Sequence, residues 1–155
     1  MAATDPSVSK TDTTLTITRT FDVPPERVFD AWLDAGRVAT WMGPRGVRAE
    51  VVTLEPRVGG RYRILMHTPD GSNPTVSGIY REIVRPARLV FTWAWAHESG
   101  HETVVSLTFR QAGKGTEMTL VHENFPNAQR RDSHSQGWSG SFDKLAEVLV
   151  PKSQV

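Results

Sequence analysis

Apolar and polar residues alternate from Thr14 to Phe21, where Leu15, Ile17 and Phe21 are interleaved with threonines. A period of two in a β-branched run predicts a strand. Pro24-Pro25-Glu26 ends it and opens a helix, since proline is tolerated in a first helical turn. Val28, Phe29, Trp32 and Leu33 give that helix one apolar face; Gly36 breaks it, and Arg37 to Met42 form a second short helix before Gly43-Pro44. Alternation then returns in Val47–Leu54, Tyr62–Met66, Val76–Ile83, Leu89–Trp95, Val105–Phe109 and Met118–His122. Turn formers divide these runs: Gly59-Gly60, Asp70 to Pro74, Pro86, the loop His97 to Glu102, and Ala112-Gly113-Lys114-Gly115. The last segment changes period. Trp138, Phe142, Leu145 and Leu149 fall on one stripe of an amphipathic helix, which His134 extends backwards by a turn. This helix should begin soon after Pro126 and stop before Pro151, with a polar first half from Asn127 to Gln136.

The order implies an α+β domain over residues 14–150, with loose tails at 1–13 and 151–155. Hairpin-length turns make the sheet antiparallel, with about seven strands. Only the long C-terminal helix is large enough to cover it, so the sheet must curl around that helix and can leave an interior space.

Composition narrows the function. The 155 residues carry 18 Lys plus Arg against 17 Asp plus Glu, which argues against a nucleic-acid partner held by a basic field. There is no cysteine, so disulfides and thiolate metal sites are excluded. Leu89 to Ala96, the longest notably apolar run, falls far short of the roughly 20 residues of a membrane span. Residues 1–6 show no basic or apolar leader character, and a cytoplasmic location is the simplest expectation. Five tryptophans against two tyrosines is the unusual feature. Trp fills cores and also lines apolar pockets.

Three motifs invite chemistry. His97-Glu98-Ser99-Gly100-His101 spells H-E-x-x-H, but zinc hydrolysis needs both histidines on one helical face, and this run lies in an expected loop; no metal is expected. Gly137-Trp138-Ser139-Gly140 lacks the last glycine of a nucleophile elbow, since Ser141 stands there. Gly113-Lys114-Gly115 is too short for a phosphate loop.

Other runs carry a resemblance. Thr18-Arg19-Thr20-Phe21-Asp22-Val23-Pro24-Pro25-Glu26-Arg27-Val28-Phe29-Asp30-Ala31-Trp32 is similar to the opening of the START-like (SRPBCC) superfamily. Trp41-Met42-Gly43-Pro44, Gly59-Gly60-Arg61-Tyr62, Gly78-Ile79-Tyr80-Arg81-Glu82-Ile83, Arg88-Leu89-Val90-Phe91-Thr92-Trp93 and the closing His134 with Gly137-Trp138 through Leu145 resemble one branch of it. That branch is the activator-of-heat-shock-protein-90-ATPase C-terminal-domain-like (AHSA-type) family. The resemblance implies a helix-grip fold, like that of the birch-pollen allergen, with two short helices after the first strand and a hydrophobic cavity between sheet and long helix.

It also implies, as the first reading, a non-enzymatic carrier or sequestering protein for an apolar small molecule such as a lipid, polyketide or aromatic compound. The second reading is a cyclase- or hydrolase-like enzyme acting on such a ligand, with His122 or His134 as acid or base. The third is a co-chaperone-like interaction module in a stress response. The true co-chaperone has a separate N-terminal chaperone-binding domain that residues 1–13 do not supply, so a chaperone partner is not expected. A homodimer stays open, and no cofactor is implied.

Candidate ligand contacts are Phe91, Trp93 and Trp95 on one strand face, Met66 on another, and Trp41, Phe125, Trp138 and Phe142 converging on them. His122 and His134 would enter from opposite walls. Plain core packing is the better explanation of any one tryptophan taken singly, and each histidine can simply bond a polar neighbour. Trp32 is expected on the outside of the grip.

Overall fold

The computed structural model describes residues 7–98 and 101–149; the expected C-terminal tail at 151–155 and the first six residues of the expected N-terminal tail lie outside them. The strands are β1 (Ser7–Lys10), β2 (Leu15–Phe21), β3 (Arg48–Leu54), β4 (Arg61–His67), β5 (Thr75–Val84), β6 (Arg88–Trp95), β7 (Thr103–Ala112) and β8 (Gly115–Glu123). The helices are α1 (Pro25–Asp30), α2 (Ala35–Trp41) and α3 (Ala128–Val148), with a single 3-10 turn at Ala96–Glu98. One eight-stranded sheet runs β1-β2-β8-β7-β6-β5-β4-β3, every neighbouring pair antiparallel. Because β2 pairs with β8 rather than β3, the α1–α2 segment spans from one end of the sheet to the other edge. This is the expected α+β helix-grip architecture.

The registers follow the alternation. Ile17 stands opposite Leu120 and Leu107 opposite both Leu120 and Leu89, so one face is continuously apolar. These residues are almost fully buried, as are Phe142 and Leu145 of α3. Burying each such side chain contributes roughly 1.5–3 kcal/mol. Register shifts between Val51 and Thr53 in β3 and between Tyr80 and Glu82 in β5 are the bulges that bend this half of the sheet around α3. Gly78 lies against β6 so closely that a Cβ there would sit 1.9 Å from the Thr92 carbonyl oxygen.

Two expectations are corrected. Residues 1–13 do not form a loose tail throughout: Ser7–Lys10 pair with Thr18–Leu15 as an edge strand, giving eight strands. Val8 is the one large apolar residue of β1, half-exposed, so the strand carries no buried periodicity. Backbone pairing and the Lys10–Asp132 ion pair at 3.0 Å hold it. The break between α1 and α2 also precedes Gly36: Asp34 caps α2, its carboxylate accepting from Arg37 N at 3.1 Å.

Candidate ligand-binding site

The aromatic residues of β6 and α3 face each other, as their periods require. They do not enclose one large hollow. Trp32, expected outside, sits in the middle of the interior, 3 % exposed. α1 ends at Asp30, and the turn that follows swings its indole inward. Ring centroids lie 4.6 Å from Trp41, 5.8 Å from Trp138, 6.0 Å from Phe142 and 6.1 Å from Phe91. Trp138 continues the contact to Trp93 at 4.9 Å, and Trp93 to Trp95 at 5.6 Å. All five tryptophans thus form one chain of rings, 41–32–138–93–95.

A cleft of about 200 Å³ opens at the Trp95 end. One wall is α3, through Arg130, His134 and Trp138. The second is the α2–β3 loop, through Met42, Pro44 and Val47. Met66 with the β4–β5 loop and Trp93 with Trp95 complete it. The loop lies flat on the helix at Gly140, where a Cβ would meet Pro44 Cβ at 2.9 Å. Lys144 fastens it there: Nζ donates to the carbonyls of Val47, Met42 and Pro44 at 3.2, 3.5 and 3.5 Å, and desolvation lowers its pKa.

Of the ten residues expected to touch a ligand, Met66, Trp93, Trp95, His134 and Trp138 line this cleft, whereas Trp41, Phe91, His122, Phe125 and Phe142 do not. Trp41 is sealed in, its Nε1 donating to Ala31 O at 3.0 Å. Phe91 borders a separate void of about 20 Å³ with Trp32 and Trp93, room for a single water. Phe125 packs on His122 and His134 at 4.3 and 4.9 Å. Missed altogether were the α2–β3 loop and the polar end of α3. A loop has no period to read, and Arg130 looks like solvated surface.

Each histidine is fixed as one neutral tautomer because it accepts from a tryptophan indole N–H, which can only donate. Trp138 Nε1 donates to His122 Nδ1 at 3.0 Å, so the proton of His122 is on Nε2 and goes to Thr103 Oγ1 at 2.7 Å. The threonine in turn donates to Trp93 O at 2.8 Å. Trp95 Nε1 donates to His134 Nε2 at 2.9 Å, and His134 Nδ1 donates to Arg130 O at 2.8 Å. Burial pushes both pKa values down, His122 well below the ordinary range, with the nearby His134 adding to it. Neither ring has a free nitrogen for acid–base work on a bound molecule.

The metalloprotease-like run is not an α-helix over its described residues. His97 and Glu98 belong to the 3-10 turn, His101 Nε2 pairs with Asn124 O at 2.8 Å, and Ser99-Gly100 lie outside the described residues. Among the described residues no cluster of three His, Asp or Glu could hold an ion. Gly137 to Gly140 is mid-helix, with Ser141 Oγ donating back to Gly137 O at 2.9 Å. No described helix is long and apolar enough to cross a membrane.

Comparison with known proteins places the architecture. None of the curated proteins matches the chain. Among solved structures, a protein from Chromobacterium violaceum is 27% identical with a TM-score of 0.85, covering 90% of this chain and 99% of its own. The AHSA1 protein of Silicibacter pomeroyi is 28% identical with a TM-score of 0.78, covering 88% and 96%. A protein from Mycobacterium smegmatis at 23% identity and a TM-score of 0.80 covers 99% and 100%, and shares the fold. The model of the family described as Activator of Hsp90 ATPase homolog 1-like protein matches residues 22–150. The chain therefore belongs to that family, a branch of the START-like superfamily.

Proposed function

We propose that this protein binds an apolar small molecule in the cleft between α3, the α2–β3 loop and β6, as a carrier or sequestering protein. The observation that carries the reading is the make-up of the cleft wall: Trp93, Trp138, Met42 and Met66, each almost fully buried, line it together with the half-buried Pro44 and Val47. Concave apolar sites with few polar groups are the usual small-molecule sites. At about 200 Å³ the cleft is smaller than the roughly 300–1,000 Å³ of drug-sized sites, so it suits a small aromatic or one end of an acyl chain. The hydrogen bonding of His122 and His134 supports binding over catalysis.

The test is a titration with neutral flavones, polyketide-like aromatics and fatty-acid methyl esters. Saturable change in tryptophan emission and a rise in Tm are expected, because a ligand of the folded state stabilises it by mass action. Pro44→Asp, which puts a charge on the cleft wall, should abolish both while leaving a folded chain by circular dichroism. No response across the panel would sink the reading.

A further inference from the structure

The polar atoms in the cleft wall are nearly all committed. His134 uses both ring nitrogens and Trp95 its indole N–H. Trp138 Nε1 is given to His122, Ser141 Oγ to Gly137 O, and Thr68 Oγ1 to Asp70 Oδ1 at 2.6 Å. Of the three buried side-chain atoms without a partner among the described residues, Arg130 Nε and Trp93 Nε1 belong to cleft-lining residues, and Trp32 Nε1 lies in the core. Both cleft atoms are donors, and one is on a cation. A buried donor left without a partner is destabilising. The free polar capacity therefore asks for acceptors, and at Arg130 for an anion.

We infer that the cleft takes an amphipathic acid: an apolar body against Trp93, Trp138 and Met66, with a carboxylate held by the Arg130 guanidinium. This rests on the binding reading above and adds the head group. A guanidinium presents its N–H groups as a planar fork matched to a carboxylate. Glu98 already occupies Nη2 at 2.5 Å and acts as the resident counter-anion. It leaves Nε without a partner and neutralises the cation. An arriving carboxylate either shares the guanidinium with Glu98 or replaces it. The other acid near this rim, Asp70, is taken up by Thr68 and the Ser72 amide.

The experiment uses matched pairs, dodecanoic acid with methyl dodecanoate and 2-naphthoic acid with its methyl ester, titrated into the full chain at pH 7.5. In the wild type each acid should bind about tenfold tighter than its ester, the range expected of one charge-assisted contact. Arg130→Gln should erase that preference. Glu98→Gln, which removes the competing anion, should raise acid affinity several-fold. If esters bind as well as acids in the wild type, or Arg130→Gln keeps the preference, the acid head group is wrong while the apolar cleft stands. If neither acids nor esters bind, both readings fall.

Discussion

Phe91 and Trp95 stand on the same face of β6, yet one is core and the other lines a cleft. Phe91 is covered by Trp32, Tyr62 and Tyr80 at ring distances of 6.1, 5.5 and 6.1 Å. Trp95 is only part-buried, with Trp93, His134 and His97 as its aromatic neighbours. The strand offers the same aromatic face to both ends. What differs is the second layer: a turn between two short helices drops an indole onto one end, and an open loop borders the other. An aromatic stripe is thus neither core nor pocket until its cover is known.

The strongest way to break that contrast is to remove the cover. Trp32→Ala should cost about 3–5 kcal/mol in urea unfolding, since it deletes a buried indole from between Trp41, Trp138 and Phe142. The same variant should join the small void to the cleft and admit larger apolar ligands. A loss under 1 kcal/mol would mean the filled end collapses freely.

Trp138→Phe keeps the ring but removes the donor to His122 Nδ1. Leaving that buried acceptor unmade should cost about 1–3 kcal/mol, well beyond the lost atom's packing. His122→Phe in the same background should recover part of the loss, which a double-mutant cycle by denaturant melts would read.

Acid should separate the two neighbouring histidines by degree. In the unfolded chain each histidine takes up a proton near the ordinary value of 6.5, whereas the folded chain resists it. Stability from these groups is therefore complete above about pH 6.5 and declines as pH falls toward the lower folded values, by at most about 1.4 kcal/mol per pH unit for each. His134, at the cleft and less deeply buried, should titrate first in imidazole NMR shifts, breaking its bond to Trp95 before His122 charges. Simultaneous titration of the two would blur the distinction drawn here.

The smallest effect is expected at the loop. Lys144→Met should cost only about 0.5–1.5 kcal/mol, yet speed amide exchange selectively in residues 42–47. Uniform exchange across the fold would show that the ammonium does not hold the wall.

The period-two and helical stripes made most of the fold legible: Leu89 to Trp95 and Trp138 to Leu149 reveal which residues meet. They do not reveal what lies between them. Trp32 follows the last helical residue of α1 by two positions, where helical spacing no longer dictates direction. β1 was invisible because an edge strand with one apolar residue leaves no pattern, and its stability is in backbone pairing. Arg130 and Pro44 were illegible as site residues for the same kind of reason. Their role comes from a long-range approach of loop to helix that no local spacing encodes.

The unbroken row of five indoles also has an optical consequence. Ring centroids of 4.6 to 5.8 Å between successive members are far inside the range over which excitation energy hops between like chromophores. Light absorbed by Trp41, sealed at the far end, can reach Trp95 at the mouth. The row behaves as a single antenna whose open terminus lies in the cleft. An absorbing ligand seated there should dim all five rings together, and Trp95→Phe should detach the terminus while leaving the rest of the emission intact.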